Sequence, residues 1–513
     1  MPKNLSLPNL YFMSCLSRIV ILFLLGALCI DASAKVSLPN FFTNNMVLQR
    51  GMKISIWGYA NPNEKVHVAL GSNSSETSAD VTGIWEVKLK SMPAGGPYTL
   101  QVNGENQISV TNVLIGDIWV CAGQSNMELP VKRSNNAKKE IENANHPNLR
   151  LFTVDHQANA DSTRTNVKGE WSVCDPTTVV MFSGVGYFFG RELEKQLNVP
   201  IGLIDIGWSA TRIEGWISQK ALGNLPFGRK EIETYLTNAP KDDANGLIGY
   251  AKSLKEAKEA IAKGTPNIEI PEPPRPSRKV PSSPGALFNY MTYPLTHLGI
   301  KGVIWYQGEA NSRSQQSATD YRTYLPTLIQ DWRAAWNQGN FPFLFVQLPN
   351  FQSSGFWPLM REAMLKTYLA DKKTGMAVTI DVGHKTDIHP SNKQDVGYRL
   401  ALQALDVAYH KNIVSQGPLL KSMKVKNSKS VLTFSHVGTG LVAANGELKG
   451  FEIAGADQIF HPASGILVKN KVELSSDKVS APVAVRYAWA DYPDCNLYNQ
   501  EHLPASPFRT DSW

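Results

Sequence analysis

The sequence predicts an α/β protein whose central sheet is mostly parallel and flanked by helices. Apolar strand segments alternate with helical patterns along the middle of the chain, whereas both flanks carry short strand patterns broken by turns. The predicted central strands are 114–122, 199–206, 302–306, 341–348 and 376–381, and the predicted helices are 185–197, 321–336, 359–369 and 394–410. Because functional loops of such sheets lie at the carboxyl ends of the strands, we expect the chemistry there.

The strand patterns also divide the chain into regions. Residues 35–112 predict a small β-sandwich-like region, 113–412 the α/β region, and 413–513 a further β region. Between 223 and 285, charged helical sequence and a proline-rich stretch interrupt the alternation, which predicts an insertion. One arrangement open to the C-terminal strands is pairing with the N-terminal region.

Composition excludes several classes of protein. Of the 513 residues, 42% are hydrophobic and 9% aromatic, which indicates a globular chain rather than a disordered one. The net charge of +7 comes from cations scattered among acids, so we expect no nucleic-acid partner. Beyond the N-terminus no apolar run reaches about 18 residues, so we expect no membrane span in the mature protein. The oligomeric state stays open.

The N-terminus predicts export. Two basic residues, Lys3 and Arg18, precede the apolar run 19–30, and Ala32-Ser33-Ala34 supplies the small residues that a signal peptidase accepts. We therefore interpret residues 1–34 as a signal peptide that directs the mature chain to the periplasm or the medium. The alternative is a lipoprotein anchored through Cys29, although Leu28 before it is larger than lipoprotein processing usually accepts.

Metal and cofactor chemistry is not expected. Cleavage after Ala34 leaves Cys121, Cys174 and Cys495, which form no Cys-x-x-Cys pair and can make at most one disulfide. The ten histidines include no His-Glu-x-x-His motif. The sequence therefore predicts an active site built from side chains and backbone alone.

Two loops carry the residues of a nucleophilic hydrolase. Ser125 follows the predicted strand 114–122 within Gly-Gln-Ser-Asn-Met, where a strand-to-helix turn would expose its hydroxyl; a helix cap is the alternative reading. His389 lies in Asp-Ile-His-Pro, two residues after Asp387, and an Asp-oriented histidine is the partner that such a serine needs. Ser391 and Gln394 have the spacing of a capping box that begins the next helix.

Two further loops lie at strand ends. Gly207-Trp-Ser-Ala-Thr211 follows strand 199–206, and its small residues would let backbone N–H groups approach a ligand. Gln307-Gly-Glu-Ala-Asn311 follows strand 302–306 as a dense polar cluster, in which Gly308 and Asn311 also suit a turn.

These motifs, with Met46-Val-Leu-Gln-Arg50 and Leu503–Thr510, resemble the sialate O-acetylesterase family of SGNH hydrolases over nearly the whole mature chain. The resemblance implies a flavodoxin-like SGNH fold, with Ser125 as nucleophile, His389 as base, Asp387 as the orienting acid and Asn311 as an oxyanion donor. The family usually has Ser-Trp-Gly-Gly-Thr where this chain has Gly207-Trp-Ser209-Ala-Thr. The oxyanion donors expected are therefore Ser125, Asn311 and either Gly207 or Ser209.

The resemblance implies an exported serine esterase that removes O-acetyl groups from a glycan, with sialosides as the first expectation. An acetylxylan or other polysaccharide esterase is the alternative, and a catalytically inactive carbohydrate-binding protein is a more distant one. We expect Gln124, Arg212 and Glu309 to contact the substrate, Arg212 because a sialate carboxylate favours a bidentate guanidinium. For the acid that orients His389, Glu309 and Asp381 remain alternatives to Asp387.

Overall fold

The structure is a computed structural model that describes residues 35–353 and 355–513. The predicted signal peptide, with Cys29, lies outside the described residues. The strands of the first two regions are β1 Val47–Gln49, β2 Ile54–Tyr59, β3 Lys65–Leu70, β4 Asn73–Ser78, β5 Ile84–Leu89, β6 Gly95–Asn103, β7 Gln107–Gly123, β8 His146–Thr153, β9 Trp171–Cys174, β10 Ile201–Asp205, β11 Gly302–Tyr306, β12 Phe343–Gln347 and β13 Thr374–Val378.

The C-terminal region adds only strands. They are β14 Leu419–Lys426, β15 Lys429–Ser435, β16 Leu441–Ala443, β17 Phe451–Ala454, β18 Phe460–Pro462, β19 Ser464–Val468, β20 Lys471–Ser475, β21 Ala484–Tyr487, β22 Leu497–Asn499 and β23 Phe508–Arg509. The α-helices are α1 Ser125–Glu128, α2 Ala137–Glu142, α3 Gly184–Leu197, α4 Gln219–Leu222, α5 Pro226–Ala262, α6 Gln315–Trp336, α7 Trp357–Ala370 and α8 Lys393–Val407.

The central sheet confirms the predicted fold class. Its order is β13-β12-β11-β7-β10-β8-β9, and every pair from β13 to β8 is parallel, whereas β9 runs antiparallel at the edge. All five predicted central strands are present. Strands β8 and β9 were not predicted, and they extend the sheet beyond β10.

Strand β7 belongs to both the N-terminal and the central parts of the sheet. Its first half pairs with β6 and β1, and its second half, from Asp117 onward, lies between β10 and β11. The strand runs without interruption across residues 112 and 113, where the sequence predicted a boundary. The N-terminal region is therefore joined to the α/β region by a continuous strand rather than by a linker.

Helix ends follow from local capping groups. Ser183 Oγ accepts a hydrogen bond from the backbone N–H of Gly186 and begins α3, and Asn198 ends it with a left-handed backbone (φ 52°). At α8 the predicted capping box is wrong. The cap is Asn392, whose side chain accepts from the N–H of Asp395, while Ser391 Oγ donates to Asn135 Oδ1 instead.

The insertion consists largely of α5, a helix of 37 residues with Pro240 inside it. The prolines that follow it carry little regular structure beyond one short 3-10 turn, Ser277–Lys279. A 3-10 turn, Ile213–Trp216, precedes the insertion in the chain, and a π-helical turn, Phe288–Thr292, follows it.

The C-terminal strands pair only with one another among the described strands, so the suggested pairing with the N-terminal region is wrong. The region packs against the α/β region instead. Arg361 of α7 is fully buried and donates to the carbonyl oxygens of Ala490 and Asp491, at 2.8 and 2.9 Å. Gln347 at the end of β12 also donates to Ser506 Oγ. Polar side chains at this interface replace the strand pairing that the sequence suggested.

An aromatic cluster anchors the sheet below the functional loops. The ring of Trp305 on β11 meets Trp216 and Trp332 edge to face, with centroids 5.8 and 6.0 Å apart. Trp332 Nε1 donates to the carbonyl oxygen of Trp216, which fixes the 3-10 turn Ile213–Trp216 against the sheet.

Cys121, Cys174 and Cys495 are unpaired, and no described helix is long and apolar enough to cross a membrane.

Candidate active site

A cavity of about 690 Å³ opens at the carboxyl ends of β7, β10 and β11. All four loops that the sequence singled out contribute to its wall. Their contributions are Gln124 and Ser125, Gly207 and Ser209, Glu309, and His389. Parallel strands end at one edge of the sheet, and this brings loops distant in sequence around one space.

Ser125 is held at the floor of the cavity by a tight turn. Gly123 has φ 136°, and a Cβ atom there would lie 2.1 Å from the carbonyl oxygen of Tyr306, so the turn requires glycine. The backbone N–H of Gln124 donates to that same carbonyl at 2.9 Å. Ser125 then begins α1, and its own backbone N–H has no hydrogen-bond partner among the described residues.

His389 meets the serine from the opposite loop. Its Nε2 lies 2.8 Å from Ser125 Oγ, which is hydrogen-bond distance for a base and its nucleophile. Asp387 accepts from the backbone N–H of His389 at 2.8 Å, while its Oδ1 lies 3.8 Å from Nδ1 of the ring. The carboxylate therefore faces the imidazole without a direct hydrogen bond to it, and it is half exposed.

Burial sets the protonation of His389. Removal from water lowers the pKa of the imidazole below its usual value, and the nearby positive charges of Lys393 and Arg133 lower it further. The charge of Asp387 acts in the opposite direction. The ring is consequently neutral near pH 7, the state in which Nε2 can accept a proton from a serine hydroxyl.

The two alternative acids, Glu309 and Asp381, bind residues other than His389. Glu309 Oε1 accepts from Asn126 Nδ2 at 2.7 Å, and no hydrogen bond or ion pair joins Glu309 to His389. Asp381 makes a bidentate pair with Arg399, at 2.6 and 2.8 Å. Of the three carboxylates considered, Asp387 alone faces the histidine ring.

Asn311 does not face the cavity, contrary to the prediction. Its side chain is fully buried, and its Oδ1 accepts from the N–H of Ile213 and from Gln307 Nε2. Its Nδ2 donates to Glu214 Oε2 at 2.9 Å and, more weakly, to Ser317 Oγ. With both amide atoms engaged, Asn311 fastens the third loop to the 3-10 turn Ile213–Trp216 and offers no donor to an oxyanion.

The backbone donors expected from the second loop are also engaged. The N–H of Gly207 donates to Asp205 Oδ1 at 2.9 Å, and the N–H of Ser209 donates to Glu128 Oε2 at 2.7 Å. The hydroxyl of Ser209 donates to the same oxygen of Glu128. Neither N–H is free in this structure, although both residues line the cavity.

Gln124 offers a donor that remains open. Its Oε1 accepts from Gln307 Nε2 and from the N–H of Ala310, each at 3.2 Å. These two bonds fix the amide, and its Nε2 has no protein partner among the described residues. The side chain is only 3% exposed and lines the cavity. Gln124 Nε2 and the N–H of Ser125 are therefore donors of two cavity residues that the described part of the protein leaves unoccupied.

Arg212, expected to bind a carboxylate of the substrate, is paired within the protein. Its guanidinium contacts Glu214 and, at 3.0 Å, Glu231, and it does not line the cavity beside Ser125. Two other arginines do line that cavity. Arg133 and Arg313 are exposed, and their guanidinium groups have no hydrogen-bond or ion-pair partner among the described residues.

A group of cavity residues lies outside the motifs of the sequence and was not predicted. His156 follows β8, donates from Nε2 to the carbonyl oxygen of Gly207 at 2.8 Å, and stacks on Trp208 with centroids 4.5 Å apart. Asp205 at the end of β10 is buried, which raises its pKa to about 7. Glu128 adds a second carboxylate to the cavity wall.

No set of three or more His, Cys, Asp or Glu side chains in the described part of the chain could hold a metal ion.

Comparison with known proteins places this site in a family. The family model described as "Carbohydrate esterase, sialic acid-specific acetylesterase" matches residues 115–239 and 287–406. The two matched segments contain all four loops, and the unmatched segment between them covers the second half of α5 and the proline-rich stretch.

Individual relatives match over most of their length. Sialate O-acetylesterase of Homo sapiens is 30% identical, covering 93% of this chain and 93% of the human protein. Sialate O-acetylesterase of Mus musculus is 29% identical over 95% of this chain and 97% of its own. Among solved structures, a carbohydrate acetylesterase from Xanthomonas citri is 37% identical, with a TM-score of 0.80, over 93% of this chain and all of that one.

We predict that Asn311→Ala lowers the free energy of unfolding by about 2 kcal/mol, because it leaves buried polar groups of Ile213, Gln307 and Glu214 without their partner. Urea unfolding measures this loss, with Asn145→Ala at an exposed position as the control. Unchanged stability together with a hundredfold loss of turnover would instead make Asn311 an oxyanion donor.

Proposed function

The chain belongs to the sialate O-acetylesterase family, and we propose that it uses Ser125 to remove O-acetyl groups from sialic acids. It is a carboxylic ester hydrolase that acts on acetylated carbohydrates. The observation that carries the assignment of Ser125 is its 2.8 Å separation from the neutral imidazole of His389 within the cavity.

In the proposed reaction Ser125 Oγ attacks the acetyl carbonyl carbon while His389 Nε2 takes its proton. The tetrahedral intermediate collapses, and the imidazolium gives that proton to the departing sugar hydroxyl. Water, deprotonated by the same nitrogen, then attacks the acetyl-serine, and acetate leaves as Ser125 regains its proton. Asp387 stabilises the imidazolium through its charge, from 3.8 Å.

We propose the N–H of Ser125 and Gln124 Nε2 as the donors that hold the oxyanion. Both belong to residues that line the cavity and have no partner in the described part of the chain, whereas the N–H groups of Gly207 and Ser209 already bind Asp205 and Glu128. Preorganised donors of this kind are typically worth about 10²–10³ in turnover each. A second-loop donor becomes available only when its carboxylate partner moves away.

The charges of the cavity support an acidic sugar as substrate. Arg133 and Arg313 present guanidinium groups to the cavity without a protein carboxylate to neutralise them. A sialic acid carries one carboxylate, for which a guanidinium is the preferred partner. A neutral acetylated polysaccharide such as acetylxylan would leave both charges unpaired, and it is the alternative substrate.

We further propose that the chain is exported. The support is the N-terminal pattern of two basic residues, the apolar run 19–30 and Ala32-Ser33-Ala34. On this proposal the mature protein begins near Lys35 and acts in the periplasm or the medium, where acetylated glycans are encountered.

Replacement of the nucleophile tests the proposed function. We expect Ser125→Ala to retain the melting temperature of the wild type and to lose at least about 10³-fold in kcat on an acetylated sialic acid. Acetate release and thermal unfolding measure the two quantities. A variant that keeps more than a tenth of the wild-type rate would rule out Ser125 as nucleophile.

Removing the charge of Asp387 tests its role. We expect Asp387→Asn to lower kcat by about 10–10²-fold, less than the roughly 10⁴-fold loss known for a hydrogen-bonded triad aspartate, because this carboxylate is half exposed and 3.8 Å away. Since its charge raises the pKa of His389, the acidic limb of the kcat/KM profile should move to lower pH.

The control for that measurement is Asp494→Asn, an exposed aspartate of the C-terminal region. An unmoved acidic limb and a wild-type kcat in Asp387→Asn would show that Asp387 does not act on His389.

The substrate class is tested at Arg313. We expect Arg313→Ala to lower kcat/KM for an acetylated sialic acid about 10-fold or more, since charge-assisted hydrogen bonds contribute roughly 1.5–3 kcal/mol. The same variant should hydrolyse 4-nitrophenyl acetate, which has no carboxylate, at the wild-type rate. Arg275→Ala, at an exposed position outside the cavity, is the control. Equal losses on both esters, or wild-type activity on both, would contradict a carboxylate-binding role.

A further inference from the structure

A buried polar network lies directly behind the Ser125–His389 pair. It consists of Asn126, Lys393 and Glu309, of which the first two are fully buried and the third is 5% exposed. Asn126 follows the proposed nucleophile in sequence, Lys393 begins α8, and Glu309 comes from the loop after β11. The proposed reaction uses none of these three side chains.

One amide connects all the parts of this network. Asn126 Nδ2 donates to Glu309 Oε1 at 2.7 Å and to the carbonyl oxygen of Ile388 at 2.9 Å. Its Oδ1 accepts from Lys393 Nζ at 2.6 Å. Because Ile388 immediately precedes His389, a single side chain next to Ser125 is bonded to the backbone next to the histidine.

We propose that Asn126 is a positioning residue that fixes the distance between Ser125 and His389, and that Lys393 and Glu309 hold its amide in the one orientation that does so. This inference rests on the proposed roles of Ser125 and His389. Each amide atom has a partner that only its present orientation satisfies: a cation at Oδ1, and a carboxylate and a carbonyl at Nδ2.

Burial of this network costs desolvation free energy, which argues against a role in stability alone. Within the described ranges 35–353 and 355–513, Lys393 Nζ has no carboxylate at ion-pair distance and Glu309 Oε2 has no hydrogen-bond partner. Opposite charges separated by an amide recover less of the desolvation cost than a direct pair would. Burial accordingly lowers the pKa of Lys393 to about 7 and raises that of Glu309.

The network also acts on the base through its charge. The groups facing His389 are Asp387, which raises the pKa of the imidazole, and Lys393 and Arg133, which lower it. Lys393 itself is faced by Glu309, Asp387 and Arg133, and its Nζ lies 5.3 Å from the ring centroid of Tyr306. Lys393 is protonated at pH values below about 7, so its charge is present across the acidic limb of the His389 titration.

The first test is Asn126→Ala, assayed on the acetylated substrate. A small misplacement of a reacting group can cost about 10² in rate, so we expect kcat to fall about 100-fold while KM stays within about threefold. The matched control is Asn392→Ala, which removes another amide close to His389. That amide caps α8, so its loss should lower the melting temperature and leave kcat unchanged.

The second test is Lys393→Met, which keeps the length of the side chain and removes its charge. We expect the acidic limb of the kcat/KM profile to move to higher pH, because a positive charge that lowers the pKa of His389 is lost. A purely structural role would leave that limb in place, as we expect for Asn392→Ala. Where Asn126→Ala does not fold, this shift decides the proposal.

Wild-type kcat in Asn126→Ala, or an unmoved limb in Lys393→Met, would overturn the positioning role. Failure of the proposed function is a separate result. It would appear as a Ser125→Ala protein that still releases acetate, whereas failure of the positioning role alone would leave Ser125→Ala inactive.

Discussion

The contact between Ser125 Oγ and His389 Nε2 joins residues that are 264 positions apart, and it forms only if two loops meet with an accuracy of a few tenths of an ångström. The parallel sheet brings the loops to the same edge. The turn at Gly123, which packs closely against the carbonyl oxygen of Tyr306, then fixes the position of the serine relative to the end of the sheet. On the other side, the bond from Asn126 Nδ2 to the Ile388 carbonyl holds the loop that carries the histidine.

Burial determines the protonation state of the groups around this contact. The same removal from water that keeps the His389 imidazole neutral also raises the pKa of Asp205 to about 7 and lowers that of Lys393 to about 7. The cavity and the polar network behind it therefore carry fewer ionised groups at neutral pH than their residue types suggest. Arg133 and Arg313 also line the cavity, and their exposed guanidinium groups have no ion-pair partner among the described residues.

The parts of the site that could be predicted are those that short sequence motifs identify. Ser125 and His389 each follow a strand or precede a helix within a short motif, so the sheet alone brings them together. The contacts of Asn311 and Arg212 could not be predicted, because both side chains bind Glu214, a buried residue with no distinguishing motif. The same holds for the N–H of Ser209, whose engagement by Glu128 depends on two loops meeting.

Missed elements of the fold have a similar cause. Strand β4 is entirely polar, with half-buried and exposed residues in alternation, so it shows no hydrophobic alternation. Strand β8 begins with His146-Pro147 and lies next to the edge of the central sheet, where pairing rather than pattern defines it. His156, which follows β8, was therefore not placed at the cavity.

Covalent labelling tests most directly whether His389 activates Ser125. A fluorophosphonate transfers its phosphoryl group to an activated serine hydroxyl and releases fluoride, and peptide mapping by mass spectrometry locates the adduct. We expect a single adduct on Ser125, with a labelling rate that rises with pH as His389 loses its proton and that collapses in His389→Ala. An adduct on another residue such as Ser209, or labelling of Ser125 that is unchanged in His389→Ala, would contradict it.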